Sequence, residues 1–543
     1  MRLAAAQTEQ GERTSNNRNA GSTAHHHIPA RATPASHAAS SMEPPTFLHT
    51  ALHRNWAFHV VKYLAPHDAG RLEQCLARDS VFVEAAVTPL LRMVAGRMQA
   101  AAEKAGATML VPLGEERGGR VTWAKELLWI YVAMARIQVG AKKMTSAGLN
   151  HSLMTSGNEG RTWSCGRGAY VGHVHVPRTY SSDPVDVYVP RLIEALNRVA
   201  VVQVAAGEEH SMALAHDGSV FGWGVFKGTA EAAAPRGADA SLTATRAKKA
   251  AAMVPKQVED LTDVTYIACG GAHSIAVGGG GAVYTWGNNQ QGQLGLGDNG
   301  WSERNLVPNT VPDVNGVIAV AAGFGHSLVL RRDGTIMASG KNNAGQLGLG
   351  DTERRNTFTD VPNLWGVVDI DGGSVHSIAV TVLGDVFTWG YGWAMGQGGR
   401  GLIFPSQYLV PTKVIGGGIE DARMVQVAVG SMHSMALTAS GILYTWGKGE
   451  SGQLGHGRRG DLAVPSVVGG IGGAVVGVAG GLYHSLVTTG DGRVLVFGAT
   501  GSGALGLGAG PQEPWQEALT PTAIDGITLG NEGEEGKVST ESG

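Results

Sequence analysis

Seven His-Ser pairs are the residues of this sequence whose types could support chemistry. Imidazole beside a hydroxyl group is a combination used in catalysis, and histidine nitrogens are common zinc ligands. By subtraction, successive pairs lie 59, 63, 53, 50, 57 and 51 residues apart, and the histidines are His151, His210, His273, His326, His376, His433 and His484. A recurrence at about 50 residues indicates one structural unit that is repeated. The unit must therefore be identified before any chemistry is assigned to the pairs.

The sequence around each pair predicts β-sheet. In the most regular copy, from Gly270 to Gly297, two runs of β-branched and aromatic residues, HSIAV and VYTW, flank a glycine turn. Such a hairpin cannot bury both its faces alone, whereas about seven small sheets arranged radially shield one another. The sequence therefore predicts an all-β seven-bladed propeller. Its core is expected to include the tryptophans that recur in successive copies, Trp223, Trp286, Trp389 and Trp446.

This architecture bears directly on the chemistry of the histidines. Each would lie in a different blade, so they would form a ring and could not meet one ion at the zinc-imidazole distance of about 2.0 to 2.1 Å. We expect a structural role, in which both nitrogens of a partly buried imidazole bond neighbouring backbone groups and the serine satisfies a turn. The glycine-rich closing turns lack the Lys-Ser/Thr of a phosphate-binding loop. No catalytic centre, metal or cofactor is expected.

The repeats resemble a known family. His-Ser-x-Ala-Leu, Val-Tyr-Thr-Trp-Gly and Gly-Gln-Leu-Gly-x-Gly, together with Pro-x-x-Val between copies, are similar to the regulator of chromosome condensation repeat over residues 137–526. The resemblance implies a seven-bladed propeller but no single activity. Photoreceptor members carry tryptophans between the Gly and the His of several copies, and none stands there in this sequence. Because no eighth pair follows His484, the last blade is expected to be completed by strands near Gln138 to Met154.

Composition excludes several classes of protein. The 543 residues have room for a propeller and one small domain, and the net charge of −3 gives no general attraction to nucleic acid or an anionic membrane. Three cysteines are too few for a disulfide framework, so a reducing compartment, cytoplasmic or nuclear, is expected. No apolar run of about 18 residues predicts a membrane-spanning helix. We expect a monomer whose partners are proteins.

The regions flanking the repeats have a different texture. Residues 1–44 and 527–543 are predicted to be disordered. Residues 45–136 predict a small all-α domain, because apolar residues recur there at spacings of three and four. Its helix, Pro66 break and second helix resemble a degenerate F-box, which would dock a Skp-type adaptor of a cullin ubiquitin ligase, although Leu52-His53-Arg54-Asn55 replaces the usual opening. The alternative is a helical domain that only packs on the propeller.

The second copy breaks where its closing turn should follow. After Trp223-Gly224 the chain enters an Ala-rich insert at 228–253. In the founding member of the family, the blade at this position carries a β-wing that contacts the small nuclear GTPase Ran, and Trp-Gly-x-Phe matches the entry to that wing. Family exchange factors place an acidic residue just before the His of the next copy, where this chain has Ala272. Candidate partner-binding residues are Phe226, Lys227, Arg246, Lys248 and Lys249.

Three functions are compatible with these observations. The first is a non-enzymatic protein-interaction scaffold that uses the variable loops of a propeller rim. The second is a guanine nucleotide exchange factor for a Ran-like GTPase. The third is an F-box-like substrate receptor, in which the helical domain binds a Skp-type adaptor and the propeller binds the substrate.

Overall fold

The computed structural model describes residues 143–156, 160–173, 186–224, 253–300, 302–397, 407–508 and 515–529. Within these ranges the chain forms seven four-stranded antiparallel sheets. The proposed leader, the F-box-like helices and the candidate partner-binding residues at 226–249 lie outside the described residues, so those hypotheses stay predictions.

Each sheet is one blade and is built from four consecutive strands. Blade 1 contains β1 (Thr145–Ala147), β2 (His151–Thr155), β3 (Thr162–Gly166) and β4 (Val187–Leu192). Blade 2 contains β5 (Val201–Ala206), β6 (His210–Ala215), β7 (Val220–Gly224) and β8 (Lys256–Gln257). Blade 3 contains β9 (Val264–Cys269), β10 (His273–Gly278), β11 (Val283–Gly287) and β12 (Asn309–Thr310).

The remaining four blades follow the same plan. Blade 4 contains β13 (Val317–Ala322), β14 (His326–Arg331), β15 (Ile336–Gly340) and β16 (Arg355–Asp360). Blade 5 contains β17 (Val367–Gly372), β18 (His376–Thr381), β19 (Val386–Tyr391) and β20 (Gln407–Lys413). Blade 6 contains β21 (Met424–Val429), β22 (His433–Thr438), β23 (Leu443–Gly447) and β24 (Leu462–Val467). Blade 7 contains β25 (Val475–Gly480), β26 (His484–Thr489), β27 (Arg493–Thr500) and β28 (Gln516–Thr528).

Helix is scarce in the described part of the chain. It holds four short 3₁₀ segments, Glu194–Leu196, Glu303–Leu306, Trp393–Met395 and Ile419–Asp421. None of these is long and apolar enough to cross a membrane.

The first strand of every blade faces the propeller axis. Inner strands contact the inner strands of adjacent blades in the circular order β1, β5, β9, β13, β17, β21, β25 and back to β1. Residues of all seven inner strands line one axial cavity. The predicted seven-bladed propeller is therefore confirmed.

The hydrophobic core is divided among the interfaces between blades. Trp389 of blade 5, for example, packs against Leu328 and Leu330 of blade 4, and Trp446 of blade 6 packs against Ile378 and Val380 of blade 5. All four recurring tryptophans have no exposed surface. Burial of a side chain of this size contributes roughly 1.5 to 3 kcal/mol or more, so each blade gains its stability from its neighbour.

The expected completion of the last blade by an N-terminal strand was wrong. Blade 7 takes all four strands from its own repeat, because the 13-residue β28 pairs with β27, and residues from Thr145 onward build blade 1 instead. The ring closes through contacts between two complete blades. Leu482 N donates to Gly148 O at 3.3 Å, and Gly508 N donates to Tyr188 O at 3.0 Å.

Candidate functional site

The seven His-Ser pairs form a ring of hydrogen bonds that joins every blade to the next. Each histidine opens the second strand of its blade, and its Nε2 lies within hydrogen-bond distance of the serine Oγ in the following blade. The pairs are His151 and Ser211 (2.8 Å), His210 and Ser274 (3.0 Å), His273 and Ser327 (2.9 Å), His326 and Ser377 (2.9 Å), His376 and Ser434 (3.3 Å), His433 and Ser485 (2.8 Å), and His484 and Ser152 (3.0 Å). The last of these closes the circle between blades 7 and 1.

The direction of these bonds follows from the serine. Ser377 Oγ donates its one hydrogen to Gln346 O of blade 4 at 2.8 Å, and Ser434 Oγ donates to Ala394 O of blade 5 at 2.9 Å. A hydroxyl has a single hydrogen, so the serine can only accept from the imidazole, and Nε2 must carry the proton. In six of the seven junctions, all except that of His210 and Ser274, donation runs from the histidine to the serine and from the serine to a carbonyl after the third strand of the histidine's own blade.

This geometry corrects the expected role of the histidines. We predicted that both ring nitrogens would bond backbone groups, but Nε2 bonds a side-chain hydroxyl in the next blade. The Nδ1 atoms of five of the rings have no hydrogen-bond partner among the described residues: His151, His273, His326, His376 and His433. The serine was predicted to satisfy a turn. Its hydroxyl does bond a closing turn, but that turn belongs to the preceding blade, so the serine links two repeats.

Burial keeps the ring histidines neutral. It lowers the pKa of His151, His273, His326 and His433 to about 3, assisted by neighbouring histidines. It lowers the pKa of His210, His376 and His484 to about 4. Among the described residues, no group of three or more His, Cys, Asp or Glu side chains is placed to hold a metal ion. This geometry supports a structural role, in which each histidine joins its blade to the next by a hydrogen bond.

The closing-turn carbonyl also accepts from the recurring tryptophan. Trp389 Nε1 donates to Gln346 O at 2.9 Å and Trp446 Nε1 donates to Ala394 O at 2.8 Å. In blade 1 the tryptophan position holds Cys165, whose Sγ donates to Ala504 O at 3.5 Å. Burial raises the pKa of this thiol to about 12, so it is inert as a nucleophile.

Variable residues stand immediately beside this uniform ring. The Gly-x-x-His rim is the set of seven loops that join the first and second strands of the blades, 148–150, 207–209, 270–272, 323–325, 373–375, 430–432 and 481–483. The loops share one face because the strands they join run in the same sense in every blade. On this rim Phe324 is 50% exposed, Met432 is 45% exposed and Tyr483 is 48% exposed. Glu208 and Glu209 form an acidic pair on blade 2.

The axial cavity opens within this rim. Its volume is about 150 Å³, and it is lined by the upper parts of the inner strands and by the rim loops. Lys143 Nζ, in the segment before β1, lies 3.5 Å from Asp371 Oδ2 of β17. Because β1 and β17 are not neighbours in the ring, this ion pair crosses the axis.

The carboxylates that face Lys143 also accept hydrogen bonds that link two blades. Asp369 Oδ2 accepts from Val427 N and Asp371 Oδ2 accepts from Val429 N, each at 3.0 Å, across the interface of blades 5 and 6. Burial opposes the charge on Lys143, but Asp371 and other nearby groups outweigh it and raise the pKa of the amine. Burial raises the pKa of Asp369 to about 6 despite the attraction of Lys143. Sequence reasoning missed this cluster, although two acidic residues alternating with Ile370 in an otherwise apolar inner strand were a signal.

These features define the class of protein: a seven-bladed propeller whose blades are clasped by repeated His-Ser contacts. Family models agree. The RCC1-like domain matches residues 133–414, and the regulator of chromosome condensation (RCC1) repeat matches residues 440–488 and 424–453. The chain belongs to the RCC1-like domain family.

Two relatives illustrate the range of proteins that contain this domain. The chain is 31% identical over 395 residues to the ultraviolet-B receptor UVR8 of Arabidopsis thaliana, covering 70% of this chain and 82% of that protein. It is 33% identical over 360 residues to the E3 ubiquitin-protein ligase HERC2 of Mus musculus, covering 63% of this chain but 7% of the ligase. The match to HERC2 is therefore confined to a small part of that protein.

Solved structures show the same fold at low identity. Prp20p of Saccharomyces cerevisiae, whose structure was described with its binding properties to Gsp1p and histones, has a TM-score of 0.54 and 20% identity, covering 72% of this chain and 89% of that chain. Human WBSCR16 has a TM-score of 0.52 and 23% identity, covering 64% of this chain and 86% of that chain.

Proposed function

We propose that the chain is a non-enzymatic protein-interaction scaffold that binds its partner on the Gly-x-x-His rim. The observation that carries this proposal is the exposure of Phe324, Met432 and Tyr483 at loop positions beside buried, invariant histidines. Side chains that the fold does not need to bury are free to serve recognition, and aromatic residues and methionine are enriched at protein interfaces. A cytoplasmic or nuclear location belongs to the same proposal.

The test uses substitutions by residue types that occur at the equivalent position of another blade in this chain. Met432→Glu and Tyr483→Glu place on blades 6 and 7 the residue that blade 2 carries as Glu209. The matched control is Ile442→Asp, on the opposite rim of blade 6, where blade 5 carries Asp385. Ile442 and Met432 are both 45% exposed.

Partners captured by the full chain should be identified by mass spectrometry and then measured against each variant. We expect the double rim variant to weaken binding at least ~10-fold, because loss of buried anchors costs more than about 1.4 kcal/mol, and the control to bind as wild type. Equal retention by the wild type and the double rim variant would refute the proposal.

A second candidate function is guanine nucleotide exchange on a Ran-like GTPase. It is supported by the Trp223-Gly224 entry to the long connection between β7 and β8, and Ala272 in place of an acidic residue counts against it. Exchange activity should appear as faster release of labelled GDP from Ran, and it should fall in a variant with Phe226 and Lys227 both changed to Ala. An unchanged release rate with the wild-type chain would exclude this function.

The substrate-receptor hypothesis depends on residues 45–136, outside the described residues. It predicts co-purification of a Skp-type adaptor with the full chain and loss of that association when residues 46–136 are deleted. Retention of the adaptor by the deleted chain, or its absence from both samples, would contradict it.

A further inference from the structure

Each rim loop lines the mouth of the axial cavity with its first glycine and with one further residue, whose type varies from loop to loop. These are the residues that directly follow the glycine of Gly-x-x-His, namely Leu149, Glu208, Gly271, Phe324, Ser374, Ser431 and Leu482. Ser374 Oγ and Ser431 Oγ lie 2.8 Å apart, so one of the two hydroxyls donates to the other. The rest of the mouth is therefore apolar except for one carboxylate, Glu208.

The mouth is acidic around Glu208, while one cation, Lys341 Nζ, lies 5.9 Å from the centroid of the Phe324 ring. Glu208 has Glu209 as its neighbour, and the Tyr170 hydroxyl donates to Glu209. Burial and the charge of Glu209 both raise the pKa of Glu208, so a cation placed here would relieve an existing repulsion. Among the described residues that line the cavity, Lys143 is the one cation, and it faces two carboxylates, Asp369 and Asp371. A negatively charged ligand would find no compensating charge among these groups.

The apolar part of the mouth can hold an aliphatic stem. Leu149 and Leu482 come from adjacent blades, 1 and 7, while Phe324 leans over the neighbouring loop, where a Cβ on Gly271 would lie 3.1 Å from Phe324 Cδ2. Gly271 therefore has no room for a side chain of its own, and the Phe324 ring gives the sector beside Glu208 an apolar surface. Arginine and lysine pack their methylene stems on apolar surfaces while their charged ends bond to carboxylates.

We propose that the cavity mouth binds an arginine or lysine side chain that projects from the partner protein between apolar residues. The charged end lies at Glu208, the stem packs against Leu149 and Leu482, and the flanking apolar residues contact Met432 and Tyr483. This inference rests on the proposed scaffold function and names the chemistry of its partner. The cavity of about 150 Å³ suits one slender side chain rather than a folded element.

The direct test uses the full chain and two labelled peptides, Ac-Gly-Leu-Arg-Leu-Gly-NH₂ and its analogue with citrulline in place of arginine. Citrulline keeps the shape of arginine and removes the charge. We expect saturable binding of the arginine peptide, measured by fluorescence anisotropy, and at least ~5-fold weaker binding of citrulline, as a partly desolvated ion pair would give. Equal affinities, or no saturable binding of the arginine peptide, would overturn the inference.

The charge on the protein side is tested by Glu208→Gln. This substitution should weaken binding of the arginine peptide to the affinity of the citrulline peptide. Glu353 is an exposed acid on the same face but outside the cavity lining, so Glu353→Gln should have no effect on binding. Thermal unfolding should show the same midpoint in all three proteins. Unchanged binding by Glu208→Gln would refute the role of this carboxylate.

The same variants separate this inference from the scaffold proposal. A captured partner could be lost with Met432→Glu and Tyr483→Glu but be bound equally by wild type and Glu208→Gln. In that case the rim is an interaction surface, and the proposal that a basic side chain enters the cavity mouth is wrong. If neither set of changes affects the partner, both proposals fail.

Discussion

The buried His-Ser ring and the Gly-x-x-His rim lie one residue apart in every repeat, yet they differ in almost every property. The ring has the same residues and the same bond in all seven blades, whereas the rim carries a carboxylate, a phenyl ring, a thioether or a glycine from one loop to the next. Residues that bind one blade to another must match in every copy. Residues that meet a partner need to match only that partner, so the difference separates what builds the molecule from what it recognises.

The strongest way to break the ring is acid. The folded-state pKa values of about 3 to 4 lie below the ordinary value of 6.5, so the unfolded chain binds more protons and stability falls as the pH drops below about 6.5. Each histidine contributes up to about 1.4 kcal/mol per pH unit. Asp369, whose pKa is raised to about 6, acts in the opposite sense, as do Glu208 and Asp186, whose pKa values burial also raises. These acids are fewer than the seven histidines.

We therefore expect the free energy of unfolding to fall by several kcal/mol per pH unit between pH 6 and 4. Denaturant titrations at a series of pH values, followed by tryptophan fluorescence, would measure this slope. A constant free energy of unfolding from pH 7 to pH 5 would show that the ring histidines are not protected from protonation.

A smaller but still large effect is expected from Gly348→Ala. Gly348 has a φ of 75°, and a Cβ there would lie 2.8 Å from Trp389 Cδ1 in the next blade. Overpacking together with backbone strain should cost ~3 kcal/mol, measured by thermal or denaturant unfolding.

Gly350→Ala is the control for that measurement. Its φ is 89°, but the nearest atom to its Cβ is Val410 Cγ1 at 3.9 Å, so it should cost only about 1 to 2 kcal/mol, from strain alone. Equal losses in the two variants would mean that the contact with Trp389 adds nothing.

The finest comparison uses two serines of blade 5. Ser377→Ala removes the acceptor for His326 and one donor to Gln346 O, both buried, and should cost ~1 to 3 kcal/mol. Ser374→Ala removes a partly buried contact on the rim and should change stability by less than about 0.5 kcal/mol. If denaturant unfolding shows similar losses, the ring and the rim are not energetically distinct.

The sequence predicted the fold because its repeats are local. Seven copies of one strand pattern require seven similar sheets, and the recurring tryptophans fit the interfaces between them. The closure of the ring was not predicted. Blade 7 has its own closing turn at 503–508, but its outer strand, Gln516–Thr528, carries neither a His-Ser nor a Trp-Gly pair that would mark it as the fourth strand of that blade. The serine's role was missed for a different reason: its partners lie in the preceding repeat, and the repeat length alone does not reveal that they are close in space.

The pair of Lys143 and Asp371 illustrates the limit most clearly. Lys143 precedes blade 1 and Asp371 belongs to blade 5, which is not adjacent to blade 1 in the ring, so only the completed circle brings them together across the axis. The candidate mouth around Glu208 has the same origin, because seven loops from the whole length of the propeller converge there. Local sequence patterns predict the individual blades. The residues that meet at the propeller axis depend on how all seven blades are arranged.

Blades 7 and 1 exchange no strand. Their junction is therefore of the same kind as the other six junctions between neighbouring blades. A gene could be cut and rejoined at a blade boundary, and each module would still carry its own histidine donor and serine acceptor. Duplication or replacement of single blades during evolution would preserve the His-Ser contacts between blades. The blade is therefore a unit of evolution as well as of structure.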